Sequence, residues 1–407
     1  MNILIVTAYF YPENFRINDL VLELQKKGHN INVLTSIPNY PEGHFFSGYG
    51  CKEKRNECYR GINIHRCFTW PRRNSSNINL FLNYFFYVLF ASKDILKFRK
   101  KKIDVIFVYE PSPVTVCIPA IVLKKLKNIP ICFWVLDLWP ESLSSSERVK
   151  SSFLMGLINP LVKFIYKNCD KILVSSKGFT KSIINKSVSH RKISYFPQWA
   201  EDIFAPKIKV EGELAKMPSG FNIMFAGNIG SGQDFDSLVK AVLFLGEKSK
   251  INWIIVGKGS KYRFLKGQIK KNNLQNKIYL LGSFDLSQMP QLYLQADAMF
   301  ISLSKKYIYS ITVPAKLQSY MACGKPVLSM IDGETSAIIN EADAGLTSSA
   351  GDFKKLAENA LKMSKMEKRQ LVKLGENSRK YYLNHFNKSN LIDVLENTLH
   401  SLSKTNT

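Results

Sequence analysis

Acidic side chains are in short supply in this 407-residue chain: 32 Asp and Glu stand against 57 Lys and Arg, a formal net charge of +25. Three classes of partner suit such an imbalance, namely nucleic acid, an anionic membrane and a phosphorylated substrate. The deficit is uneven, with 29 basic against 13 acidic residues in 1–196 and 28 against 19 in the remainder. No zinc-finger spacing or aromatic RNA-binding signature accompanies the charge, so nucleic acid is not the expected partner. Cysteine pairs are also missing. The seven cysteines are an odd number, and none stands at CxxC spacing. That excludes a disulfide framework and a structural zinc site, and it suits reduced thiols in a cytosol. Uninterrupted apolar runs are short. The ring-rich stretch Ile78–Lys102 is broken by Asn83 and falls short of the ~20 residues that a membrane span needs. The N-terminal MNILIVTAYF has no basic region ahead of its apolar run, so a first strand is expected there and not a signal peptide.

What remains is the composition of a globular protein, 45% apolar and 22% charged, long enough for two domains with separate cores. Strand-length apolar runs at 3–8, 31–34, 62–67, 105–109, 131–136 and 171–176 alternate with segments of helical spacing. One such segment is Asn18–Lys27, with Leu20, Val21 and Leu24 on one face and a stop at Gly28. This order predicts a doubly wound parallel sheet. Glu110 follows the strand at 105–109. Asp137 and Glu141, in DLWPES, follow the strand at 131–136. In open α/β sheets ligands bind at the carboxyl ends of strands, so these carboxylates are candidate catalytic groups. Ile78–Lys102 reads equally as a buried crossover helix and as an interfacial helix, with Arg99–Lys102 against anionic head groups. Phe153–Tyr166 is a second amphipathic stretch.

The second half repeats the logic. Strands are expected at 222–226, 252–256, 278–281 and 298–302, with a glycine-rich loop at Gly227–Gln233 and a Gly257-Lys258-Gly259 turn. Ser310–Glu334 (SITVPAKLQSYMACGKPVLSMIDGE) carries the most information. Pro314 suits a first helical turn, Gly324 a stop, and Pro326–Ser329 a short strand. Thr312 and Lys316 at that helix start mark an anion site, because unpaired N–H groups favour negative charge there. An ordinary α/β unit with a solvated lysine is the plainer reading of the same residues.

Four phrases decide between them. PAKLQSYMACGKPV resembles the donor segment of retaining glycosyltransferases of the fourth sequence family. YPENFRINDLVLELQKKGHNINVLTSIPNYPEG resembles their N-terminal signature, and Pro197-Gln198-Trp199-Ala200 with Phe204 and Pro206 their linker. DLWPES resembles bacterial surface-polysaccharide transferases acting on acetamido-deoxysugars, the L-fucosamine transferases in particular. The resemblance implies a GT-B fold: two Rossmann-like domains, expected at 1–197 and 198–384, facing each other across a cleft, with a helix in about 385–407 crossing back. It implies a UDP-sugar donor, a polyprenyl-diphosphate-linked acceptor and a peripheral place on the inner face of the plasma membrane. No metal or other cofactor is expected, since no Asp-x-Asp pair of the metal-holding sort is read from the chain.

The chain also departs from the family. Phe15-Arg16 replaces a Gly-Gly pair, the loop Gly227–Asp234 lacks an Arg and a Lys, and the paired glutamates fall on Ile311 and Ser319. Diphosphate neutralisation is therefore expected from Arg16, Gly227, Asn228, Gly230, Gln233, Gly257, Thr312 and Lys316. Glu334 and Ser319 are expected at the sugar, and Glu110, Asp137, Glu141 and Lys316 at the chemistry. A UDP-sugar 2-epimerase of the same fold is the alternative enzyme, although only six histidines are present. A basic nucleic-acid-binding protein is the alternative of another class.

Overall fold

The computed structural model describes residues 1–73, 76–145, 152–205 and 216–404; Pro206 of the expected linker lies outside them. The chain divides into two compact units, Met1–Pro197 with Ser389–Thr407, and Gln198–Lys388.

The first unit is built on β1 (Asn2–Thr7), β2 (Asn30–Ser36), β3 (Asn56–Tyr59), β4 (Ile62–Cys67), β5 (Val105–Glu110), β6 (Ile131–Val135), β7 (Lys171–Val174) and β8 (Ile193–Tyr195). They form one sheet in the order β3-β4-β2-β1-β5-β6-β7-β8. All pairings are parallel except β3 with β4. Central parallel strands are covered on both faces and so read as continuous apolar runs. Ile3, Leu4, Ile5 and Val6 of β1 are accordingly fully buried. The helices of this unit are α1 (Arg16–Lys26), α2 (Asn77–Asp94), α3 (Ile118–Lys127), α4 (Glu141–Ser145), α5 (Ser152–Asn168) and α6 (Phe179–Asn185). α1 buries Ile17, Leu20, Val21 and Leu24, and Gly28 follows it at φ +86°.

α2 separates the two readings of the ring-rich stretch. Ser76 caps it by accepting from the Asn79 N–H, and Asn83, Tyr87, Ala91 and Asp94 form its buried face. The opposite face holds Ile78, Phe81, Phe85 and Leu89 open to solvent, between 52% and 73% exposed. It therefore crosses from β4 to β5 with one face buried and the other open, so each reading holds for one face. The helix also stops earlier than the pattern suggests, passing into a 3-10 segment at Ile95–Lys100. Asp94 there receives Arg55, His65 and Lys97.

The second unit holds β9 (Phe221–Ala226), β10 (Ile251–Val256), β11 (Ile278–Gly282), β12 (Ala298–Ser302), β13 (Val327–Met330) and β14 (Gly345–Ser348). Their order is β11-β10-β9-β12-β13-β14, all parallel. Side chains alternate faces along a strand. Met224 and Ala226 of β9 thus join one core and Ile223 and Phe225 the other. Its helices are α7 (Phe235–Leu245), α8 (Tyr262–Lys271), α9 (Met289–Gln295), α10 (Tyr307–Ser310), α11 (Lys316–Ala322), α12 (Glu334–Glu341), α13 (Phe353–Ser364) and α14 (Lys368–His385). The last helix, α15 (Lys388–Lys404), packs on the first unit through Leu391, Ile392, Leu395 and Leu399. Lys27 fastens it by ion pairs to Asp393 at 2.6 Å and Glu396 at 2.8 Å, and His29 Nε2 lies 2.9 Å from Glu396 Oε1.

Candidate active site

Two sets of candidate residues assemble, one at the strand ends of each unit. In the second unit, β9 ends at Ala226, and Tyr320 of α11 clamps that end. Its hydroxyl accepts from the Ala226 N–H at 3.0 Å and donates to the Ala226 carbonyl at 3.1 Å. Lys316 lies one turn earlier on α11, on the face that Tyr320 shares. Its ammonium is 3.8 Å from the centroid of the Phe225 ring and 3.4 Å from Gln233 Oε1. It makes no ion pair with any described carboxylate. Lys316 is half-buried as a residue, yet the packing around its ammonium is dense, and burial lowers its pKa to about 7. A lysine without a carboxylate in such a place is a cation waiting for an anion.

Glycine shapes the loop beside it. Gly227 sits at φ +139°, and a Cβ there would stand 3.2 Å from Lys316 Nζ. Gly257 has a packing reason, since a Cβ would come 1.9 Å from the Gly227 carbonyl oxygen. The Gly257 N–H donates to the Gly282 carbonyl at 2.6 Å, so Gly257 is not the free phosphate donor expected. Asn228 is exposed and Gly230 half-exposed on the same loop. Tyr309 closes its far end, since a Cβ on Gly232 would meet the Tyr309 hydroxyl at 2.9 Å.

Other expectations in this unit need correction. α11 begins at Lys316, with Ala315 as its N-cap; Pro314 precedes the helix. Gln318 faces the carbonyls of Pro314 and Ala315, so its amide nitrogen donates there at 3.1 and 3.0 Å. Thr312 commits its hydroxyl proton to the Ile308 carbonyl at 2.7 Å and is not the free donor expected. Ser319 is 6% exposed, turned into the core and not toward a sugar. Glu334 heads α12, after Gly333 at φ +75°. One Asp-x-Asp spacing does exist, Asp234 with Asp236, contrary to expectation. Asp234 is spent on capping α7, its side chain accepting from the Ser237 N–H at 3.1 Å.

In the first unit the carboxylates separate into distinct parts. Glu110 is 0% exposed. Its Oε2 accepts from the Asp137 N–H at 3.3 Å, and burial, then the Asp137 charge, holds its pKa well above the carboxylate range. A carboxyl so enclosed holds the Asp137 backbone and offers no open face to an incoming hydroxyl. Glu141 is ion-paired with Lys186 at 2.8 Å and also receives the Ser182 hydroxyl; it ties α4 to α6. Asp137 is left as the reachable carboxylate, half-buried. Trp139 Nε1 donates to its Oδ2 at 3.2 Å. Burial raises its pKa against hydrogen bonds from Ser142, Ser112 and Trp139. Ser112 is held at φ +122°, a conformation that serine seldom adopts and that clusters at ligand sites. Arg16 opens α1 and so stands on a helix, not in the loop ahead of it.

Reasoning from sequence missed Phe225, Tyr320, Trp139 and Ser112. Tyr320 carried a signal, its spacing of four from Lys316 on one helix. Phe225 and Ser112 carried none, because their roles arise from contacts distant along the chain.

Comparison with known proteins completes the assignment. Residues 211–381 match the family of glycosyl transferases group 1, and residues 15–199 match glycosyltransferase family 4. WcaI of Escherichia coli (strain K12), named for glycosyl transfer in colanic acid biosynthesis, is 23% identical over 340 residues, covering 80% of this chain and 82% of WcaI. Sucrose-phosphate synthase from Thermosynechococcus elongatus has a similar fold, with a TM-score of 0.75 at 16% identity and 99% coverage of both chains. Anabaena HepE, solved with UDP and glucose, gives a TM-score of 0.70 at 12% identity, covering 98% of this chain and all of that one. With one glycosyltransferase family matched on each of two parallel α/β units, this chain is a nucleotide-sugar-dependent glycosyltransferase of the GT-B fold.

Proposed function

We propose that the enzyme moves an acetamido-deoxyhexose, with N-acetyl-L-fucosamine the expected sugar, from a UDP-sugar to a polyprenyl-diphosphate-linked sugar in O-antigen or capsule synthesis. The DLWPES phrase supports the sugar, and the colanic acid assignment of WcaI supports a surface polysaccharide. The UDP and glucose held by HepE support the nucleotide.

The observation that carries the donor side is Lys316, an ammonium without an ion pair among the described residues, beside a glycine loop. In this reading the UDP diphosphate lies on Gly227–Gln233, and Lys316 moves from the Phe225 ring to a phosphate oxygen. Asp137, steadied by Trp139 and by buried Glu110, orients the acceptor hydroxyl and takes its proton. Burial keeps Lys316 near a pKa of about 7 before UDP binds, whereas a bound diphosphate raises it. Below pH 7 the lysine is charged in both states and adds no pH dependence. Above pH 7 binding must take up a proton, so UDP affinity should fall about tenfold per pH unit. Calorimetry at pH 7, 8 and 9 tests this, with Lys316→Gln showing no such slope. Equal wild-type affinity at pH 7 and 9 would count against the diphosphate seat.

The acceptor places the enzyme at the inner face of the plasma membrane. No helix among the described residues is long and apolar enough to cross one. The exposed stripe Ile78, Phe81, Phe85 and Leu89 and the exposed Arg99, Lys100 and Lys102 support docking on it. Lys101 is partly withdrawn from that run, bonding Asn32 Oδ1 at 2.8 Å. Each free basic residue contributes about 1 kcal/mol near an anionic surface. Replacing Arg99, Lys100 and Lys102 by Gln should therefore lower co-sedimentation with anionic liposomes, most at low salt, without lowering Tm. Unchanged binding would make the run a solvated face.

A further inference from the structure

Arg72 is a half-buried arginine with an unusual set of neighbours. Its guanidinium carbon lies 5.1 Å from the ring centroid of Tyr9, 5.2 Å from Tyr40 and 5.6 Å from Tyr84. Nη2 donates to the Tyr9 hydroxyl, while Nε is buried without a hydrogen-bond partner. It makes no ion pair with any described carboxylate. Arg66, on the adjoining β4, shows what a structural arginine looks like here. It is 1% exposed, paired with Glu57 at 2.6 Å, and bonded to the Tyr11 carbonyl at 2.8 Å. Arg72 has the rings but lacks the carboxylate.

Its position matters as much as its contacts. Tyr9 follows β1, Tyr40 follows β2 and Arg72 follows β4, three neighbouring parallel strands, so the cage stands at the sheet edge where α/β folds bind ligands. The rings are themselves braced, Tyr9 stacking on Phe15 at 4.6 Å and Phe15 meeting Tyr40 at 5.4 Å. Tyr84 belongs to α2 and meets Trp139 edge-on at 6.3 Å, and Trp139 bonds Asp137. Arg72 thus stands two ring contacts from the reachable carboxylate. On its other side α2 carries the exposed Ile78, Phe81, Phe85 and Leu89. Cation, carboxylate and apolar stripe follow one another on a single unit.

We propose that Arg72, held by Tyr9, Tyr40 and Tyr84, is an acceptor-side anion site that receives the diphosphate of the lipid-linked sugar, with the lipid running along the exposed stripe of α2. The rings fix the guanidinium plane, and with Nη2 given to Tyr9 and Nε enclosed, Nη1 is left for a phosphate oxygen, in a direction that a planar guanidinium fixes and a lysine ammonium does not. The proposal rests on the lipid-linked acceptor of the proposed function, and it adds an anion site apart from Lys316.

The test uses the full chain saturated with UDP, which fills the donor seat, and titrates farnesyl diphosphate below its micellar concentration. Wild type should bind it. Arg72→Gln should bind about 10- to 100-fold more weakly, with UDP affinity and anionic-vesicle binding unchanged. Arg72→Lys keeps the charge without the planar guanidinium and should fall between; it also serves if Arg72→Gln folds poorly. Equal binding of farnesyl diphosphate by wild type and Arg72→Gln overturns the proposal. Parallel loss of vesicle binding would assign the site to phospholipid head groups and overturn it too. Failure of UDP to bind either protein would count against the donor reading alone, because farnesyl diphosphate would still report on Arg72.

Discussion

Replacing Lys316 with alanine is expected to slow sugar transfer by about 10²–10³-fold, the scale on which one preorganised electrostatic contact to a developing charge acts. The leaving diphosphate gains negative charge as the glycosidic bond to the donor breaks, so the lysine is worth more in the transition state than in the ground state. kcat should therefore fall more than KM for the donor rises. UDP binding should weaken as well, since the product carries the same diphosphate. The fold should hold. The ammonium forms no ion pair with any described carboxylate, and removing a partly desolvated charge relieves a burial penalty. A variant with full kcat and unchanged UDP affinity would remove Lys316 from the chemistry.

Asp137→Asn is expected to lower kcat by about 10²–10⁴-fold, the range for losing a positioned general base. Asparagine keeps the size of the side chain and can still accept from Trp139 Nε1, a bond of 3.2 Å in the wild type. Tm should therefore stay close to wild type. Burial raises the Asp137 pKa, so the active, ionised form is lost as pH falls through that raised value. The acid limb of kcat in the wild type should lie above the ordinary aspartate range. Glu110→Gln gives the contrast. Its side chain is fully buried, which pushes its pKa up, so glutamine, neutral and of nearly the same size, should cost activity far less. Wild-type kcat for Asp137→Asn, or equal losses for the two variants, would move the acceptor chemistry elsewhere.

The fold was legible because its signals are local. Parallel strands buried on both faces appear as apolar runs such as Ile3–Val6, and Gly28 and Gly324 mark helix ends through backbone geometry. The short edge strand β3 was not legible, because NECY has neither an apolar run nor clean alternation and forms by pairing with β4. The site was legible only in part. Lys316 and the glycine loop stood out as residue types at a helix start and a strand end. What separates Asp137 from Glu110 is depth, and depth depends on how β5, β6 and the chain after them pack. No spacing along the sequence encodes it. The same holds for α2, whose ring-rich composition allows a buried or an open face until Asn83 and Asp94 are seen to be the inward residues. Arg72 carried no local signal at all, as its three tyrosines come from positions 9, 40 and 84.

A crystal structure of the enzyme with UDP tests the central claim most directly. The account predicts the diphosphate on the Gly227–Gln233 loop, with Lys316 Nζ drawn off the Phe225 ring to about 2.8 Å from a phosphate oxygen. UDP bound elsewhere, with Lys316 still over Phe225, would contradict it.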